Sequence, residues 1–109
     1  MKMNEFINNI LKENNSLVFY QNSKNKLGFD IYIFRDCTYS YSLVLMGEEK
    51  IFNFPIPTNT DLLRKNLRIV LTANCNPNKE YIEETIKTIV TTLRNYKIIV
   101  KEDMEDVIG

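Results

Sequence analysis

Few side chains in this chain could carry chemistry. There is no histidine, which removes the commonest general base and the commonest metal ligand together. Cys37 and Cys75 are too few and too far apart for a disulfide scaffold or a metal knuckle, and they read as reduced thiols. Cys75 stands just before an expected helix start, where the dipole could lower a thiol pKa, yet no histidine exists to serve as its base. Asp30, Asp36, Glu48 and Glu49 show no acid/base or metal spacing and read as solvated charge. None of the glycines, Gly28, Gly47 and Gly109, builds a phosphate-cradling loop. The sequence therefore predicts no catalytic residue, no cofactor and no metal, and a protein that is not an enzyme.

What remains is surface. Between Lys101 and Gly109 one lysine faces Glu102, Asp103, Glu105 and Asp106, an acidic segment able to engage a basic groove as a phosphate backbone would. The plain reading of that segment is a solubilising terminus. Tyr39 and Tyr41, with Tyr32, Ser40 and Ser42, form a Tyr/Ser-rich surface, a composition that gives large contact area at low side-chain entropy cost. Those tyrosines could equally cover the core, because one face of a sheet must be buried. Arg64, Lys65 and Arg68 lie on one helix face and are the candidate track for nucleic acid. Fourteen basic and fourteen acidic residues cancel, so no global field recruits nucleic acid or anionic membrane. Partner-binding residues are thus expected at Glu102, Asp103, Glu105, Asp106, Tyr39 and Tyr41.

These residues need elements to hold them. Length and composition, with 44% apolar and 26% charged side chains, fit one globular domain over residues 1–109. No apolar run approaches the length of a membrane span and the start lacks a signal-peptide core, so the expected setting is the cytoplasm. Met3 to Asn14 has an apolar stripe of Met3, Phe6, Ile7, Ile10 and Leu11 and predicts a helix. Leu17 to Gln21 predicts a first strand. Phe29, Ile31 and Ile33 then alternate with Asp30, Tyr32 and Phe34. Tyr39, Tyr41, Leu43 and Leu45 alternate with Ser40, Ser42, Val44 and Met46. A turn at Gly47 to Glu49 leads to a strand over Ile51 to Phe54, closed by Pro55 and Pro57.

Thr58 to Asn76 admits two readings. Leu63, Leu67, Val70 and Leu71 fit a helical stripe behind Thr60 as cap, whereas local β-branching would make Leu67 to Ala73 a strand; the longer period favours the helix. The last helix begins at Asn76 or Asn78, with Pro77 in its first turn. It buries Ile82, Ile86, Ile89, Val90 and Leu93, and Glu83 can pair with Lys87 one turn on. Lys97 to Lys101 could extend it or form an edge strand. The expected fold is α+β: an N-terminal helix, a four-stranded antiparallel β-meander, and two C-terminal helices packed on one face.

Two resemblances bear on function. The opening MKMNEFINNILKENNSLV, followed by strands, two helices and an acidic end, resembles the layout of small phage-encoded anti-CRISPR proteins that inhibit Cas nucleases. That resemblance implies a protein partner such as a Cas nuclease, with Glu102, Asp103, Glu105 and Asp106 facing the site where the nuclease reads DNA. The segment LRKNLRIVLTANCNPNKEYIEETIKTIV, Leu63 to Val90, is similar to the end of the small domain of PLP-dependent acyl-CoA aminotransferase-like enzymes. That second resemblance implies a strand at Leu67 to Ala73 and no catalyst, since the cofactor lysine and large domain do not fit in this length. The expected function is a non-catalytic protein-binding inhibitor of mobile-element type. A structural or chaperone-like homodimer is the alternative, and a nucleic-acid-binding protein the third reading.

Overall fold

The computed structural model describes residues 2–22, 27–47, 50–74 and 78–99. Along these the order is α1 (Lys2–Lys12), β1 (Ser16–Gln21), β2 (Asp30–Arg35), β3 (Tyr41–Met46), β4 (Ile51–Pro55), α2 (Thr60–Asn74) and α3 (Lys79–Asn95). This is the expected α+β sequence of elements. The chain divides into two compact units, Met1–Ile56 and Pro57–Gly109. No described helix is long and apolar enough to cross a membrane.

In the first unit the strands form one antiparallel sheet in the order β1-β2-β3-β4. Pairing of Ile31 with Leu45 and of Ile33 with Leu43 puts four aliphatic side chains on one face, each exposed by 1% or less. The opposite face carries Phe34, Val44 and Met46, and α1 lays Phe6, Ile7 and Ile10 against them together with Tyr32. Burial on both faces is why β2 and β3 read as nearly continuous apolar runs. Leu11, expected in the same stripe of α1, is instead 42% exposed. The helix stops where Asn14 takes φ 68°, a left-handed turn that asparagine tolerates.

Two local departures reset side-chain direction. In β1, Leu17 pairs with Phe34 and Phe19 with Ile33, so Val18 is an extra residue outside the ladder. Simple alternation would put Leu17 and Phe19 on one face; the bulge moves Leu17 to the face of Tyr20. Tyr20 stacks on Tyr32 at 4.7 Å, and Tyr32 on Phe34 at 6.0 Å. Burial first, then the charges of Tyr20 and Asp30, push the Tyr32 phenol up to about 12. At the other end of β3, a Cβ on Gly47 would stand 3.0 Å from the Phe29 ring, so only glycine fits without moving that buried side chain. The Gly47 N–H donates to the Lys50 carbonyl at 2.8 Å, closing the β3–β4 connection.

The second unit is a helix pair. Leu67 to Ala73 is helical, which decides against the strand that local β-branching and the aminotransferase-like resemblance suggested. The stripe Leu63, Leu67 and Leu71 is fully buried, and burying it outweighs the β preference of Ile69 and Val70. The cap is Asn59 rather than Thr60: its side-chain oxygen accepts from the Leu62 N–H at 3.0 Å, while Thr60 is buried in the first turn. In α3 the cap is Asn78, accepting from Tyr81 N–H, and Ile82, Ile86, Ile89, Val90 and Leu93 are buried as expected, joined by Thr85. Asn76 and Pro77 lie outside the described residues. The two helices pack against each other.

Residues 97–99 neither extend α3 nor form an edge strand. Lys97 takes φ 59°, its N–H donates to the Arg94 carbonyl at 2.9 Å, and the Ile98 N–H reaches back to the Leu93 carbonyl at 2.9 Å. That is a Schellman ending with lysine in the place glycine usually takes. Lys97→Gly should therefore stabilise the protein by about 1 kcal/mol, by removing the left-handed strain of a residue with a Cβ, read as a higher midpoint in urea unfolding. Ile89→Asp should abolish the cooperative thermal transition, because it buries an unpaired charge at a position only 1% exposed. A retained transition would show that α3 does not bury this stripe.

Candidate functional site

Tyr39 is not in a strand. The alternation through Tyr39, Tyr41, Leu43 and Leu45 suggests one continuous run, but β3 begins at Tyr41 and residues 36–40 form a tight turn. Asp36 is the cause. Its Oδ1 accepts hydrogen bonds from the Thr38 N–H at 2.8 Å, the Thr38 hydroxyl at 2.7 Å and the Ser40 N–H at 2.9 Å. The Tyr39 N–H donates to the Asp36 carbonyl and the Asp36 N–H to the Ser40 carbonyl. An aspartate that offers its own oxygen to nearby amides diverts them from a ladder, the ordinary chemistry of an Asx-type turn. The Thr38 hydroxyl, then the Ser40 amide, hold the Asp36 carboxyl below its usual range.

The product of this turn is a displayed aromatic. Tyr39 sits at φ 64° with 72% of its surface exposed, and the Arg35 guanidinium lies 5.1 Å from its ring centroid. A tyrosine in left-handed backbone conformation costs energy that a sheet tyrosine would not. Cys37, a free thiol, is exposed in the same turn.

The expected Tyr/Ser face does not assemble. Tyr41 pairs with Arg35, and Tyr32 with Val44, so these two tyrosines lie on opposite faces of the sheet. Ser42 shares the face of Phe34 and Tyr32, and Ser40 belongs to the turn. Tyr39 thus lies in the β2–β3 turn and Tyr41 begins β3. Glu102, Asp103, Glu105 and Asp106 lie outside the described residues, as do Cys75, Glu48 and Glu49.

The basic residues of α2 are more engaged than their sequence suggests. Arg68 donates through Nε to Glu83 Oε2 at 2.7 Å and through the terminal guanidinium nitrogen to Oε1 at 2.9 Å, a fork-on-carboxylate pair joining α2 to α3. Glu83 is thereby taken from the pairing with Lys87 that spacing alone suggested. The hydrogen bond from Arg68 holds the Glu83 carboxyl below its usual range. Arg64 lies 3.9 Å from Asp61, and Lys65 is exposed.

Arg35, Asp36 and Cys37 visibly interrupt the apolar pattern in the sequence, but Asp36 reads there as solvated charge rather than as the residue that builds the turn. The signal was present as Asp-x-Thr-x-Ser directly after a strand, turn chemistry whose last residues, Tyr39 and Ser40, the following alternation claimed for β3. No family model, no curated protein and no solved structure matches this chain.

The lowered Asp36 carboxyl gives a pH test. A depressed folded pKa means that the turn bonds are intact above the ordinary aspartate value near 3.9 and lost as pH falls through the lower, folded value. The Thr38 and Ser40 amide proton resonances should hold steady from neutrality to about pH 4 and move below it, with a midpoint under the ordinary value. A midpoint at or above that value would mean the carboxylate does not hold the turn.

Proposed function

We propose that this chain is a small non-catalytic binding protein, a phage or mobile-element inhibitor that works in the host cytoplasm by occupying the nucleic-acid or regulatory site of a bacterial defence nuclease such as a CRISPR-Cas effector. The observation that carries the binding part of this reading is Tyr39. A large aromatic held outward by a pre-formed turn loses little entropy when a partner covers it, and such anchors dominate protein interfaces. The strain at its backbone points the same way, since strained residues persist where the surroundings hold them for a purpose. The choice of a nuclease as partner rests on the resemblance to anti-CRISPR proteins, with Glu102, Asp103, Glu105 and Asp106 as the residues that would face a basic groove.

A homodimer is favoured by a separate observation. β1 ends the sheet, has no charged side chain, and exposes Leu17 and Tyr20 at 47% each. An uncharged terminal strand is the kind of edge on which a second chain can pair. The two readings differ in the mass of the protein alone, doubled for the dimer.

Capture with tagged protein from cells expressing bacterial defence nucleases tests the first reading. The wild type should recover a nuclease. Tyr39→Ala should weaken that capture by at least about tenfold, as removal of an interface anchor does. Tyr39→Gly should lose capture equally while melting no lower than the wild type, since glycine relieves the left-handed strain. A third variant with Glu102, Asp103, Glu105 and Asp106 all changed to alanine reports whether the acidic segment shares the contact. Recovery of the protein's own copies alone would overturn the inhibitor reading.

A further inference from the structure

In the sheet order β1 has β2 on one side and no described strand on the other. Its sequence is Ser-Leu-Val-Phe-Tyr-Gln, with Asn15 before it and Asn22 after it, so this edge carries no charge. It also lacks proline, whereas β4, the opposite edge, contains Pro55. Charge and proline are two of the devices that keep an edge from pairing, and a bulge is a third. β1 has only the bulge, at Val18. That bulge excludes a regular strand, and it also determines which strand fits.

In a regular strand Leu17 and Tyr20 would point to opposite faces. With Val18 outside the ladder, Leu17 pairs with Phe34 and Tyr20 with Tyr32, so both lie on one face, each 47% exposed. Ser16, Phe19 and Gln21 lie on the other face, paired with Arg35, Ile33 and Ile31. An antiparallel copy of β1 in full overlap sets Ser16 against Gln21, Leu17 against Tyr20 and Val18 against Phe19 of the second copy. Residues directly opposed in an antiparallel pair share a face. A regular strand of six residues fails that condition against itself, because full overlap opposes each odd-numbered residue to an even-numbered one. β1 meets it at Leu17 with Tyr20 and at Ser16 with Gln21, and the extra residue in each copy is the reason.

We propose that β1 pairs with β1 of a second copy about a two-fold axis, joining the two sheets, with Leu17 of each copy packed beside Tyr20 of the other. The absence of charge lets identical strands meet without like charges opposed. Tyr20 is already stacked on Tyr32 at 4.7 Å, so it loses less side-chain freedom when the second copy covers it. A two-fold contact uses the same edge on both copies and closes on itself. The contact is small: six residues a side, against roughly 20–30 in a standard interface, so the dimer dissociates on dilution. This proposal rests on the homodimer reading of β1 and is independent of the Tyr39 turn.

The test uses the full chain, with light scattering over a dilution series and disulfide trapping. The wild-type mass should rise from one chain to two with concentration. Val18→Lys puts a charge beside the two-fold axis at a position outside the β1–β2 ladder. It should keep its thermal transition and raise the midpoint concentration of the dimer by at least about tenfold. For trapping, Leu17→Cys and Tyr20→Cys are made separately, each with Cys37→Ser and Cys75→Ser. Directly opposed residues stand about 4.5–5.5 Å apart, within disulfide reach. An equimolar mixture should therefore form the mixed disulfide. Each variant alone should form little, because a residue and its own copy are offset by three positions, roughly 10 Å. A wild type that stays monomeric at the highest concentration would overturn the proposal together with the homodimer reading. A dimer that Val18→Lys leaves intact, or one that joins Leu17→Cys to itself as readily as to Tyr20→Cys, would overturn the β1 register and leave that reading standing.

Discussion

The register between β2 and β3 is the constraint on which the first unit depends. From Asp30 opposite Met46 to Arg35 opposite Tyr41 the pairing runs without interruption. Because side chains alternate, this one register decides that Ile31, Ile33, Leu43 and Leu45 share a face and that Phe34, Val44 and Met46 lie on the face α1 covers. A slip of β3 by one residue would turn its set over and place Ser42 among the buried aliphatic side chains. The turn at Asp36 stands at the end of this ladder and starts β3 at Tyr41. Register and display of Tyr39 are therefore set by the same three hydrogen bonds to one carboxylate oxygen.

The elements themselves were readable where one physical signal dominated. Period-two alternation located β2 and β3, and proline at residue 55 marked the end of β4. For α2 two signals conflicted. Leu63, Leu67 and Leu71 at four-residue steps outweighed the β-branched residues between them, because a stripe carried over about two and a half turns buries more surface than a local preference is worth. Legibility failed where a side chain intercepts the backbone or where one residue changes phase. Asp36 takes amides that alternation assigned to a strand, and Val18 steps out of the ladder so that Leu17 changes face. The end of α3 failed for a related reason: a lysine occupies the left-handed position, and apolar Ile98 and Ile99 follow it without continuing either pattern.

The candidate sites were legible in composition but not in arrangement. Tyr39 was identifiable as a residue of interest, yet its exposed position comes from a turn geometry that alternation concealed. Arg64 and Arg68 were visible as basic residues of one helix, but their partners on α3 could not be read without knowing which stripes face each other. Spacing within a helix suggested Lys87 as the mate of Glu83; tertiary packing supplied Arg68, whose planar fork matches a carboxylate better than an ammonium does. Local rules rank neighbours along the chain, and the forked contact that joins the helix pair spans 15 residues.

The bulge in β1 carries one more consequence. An uncharged outer strand is a hazard, because stacked copies of a flat strand can grow into cross-β fibres. With Val18 outside the ladder, the outer edge of β1 no longer presents its donors and acceptors at even intervals. A flat strand laid along it meets them in step on one side of Val18 and out of step on the other. The extra residue thus breaks the even repeat that indefinite edge-to-edge growth would need.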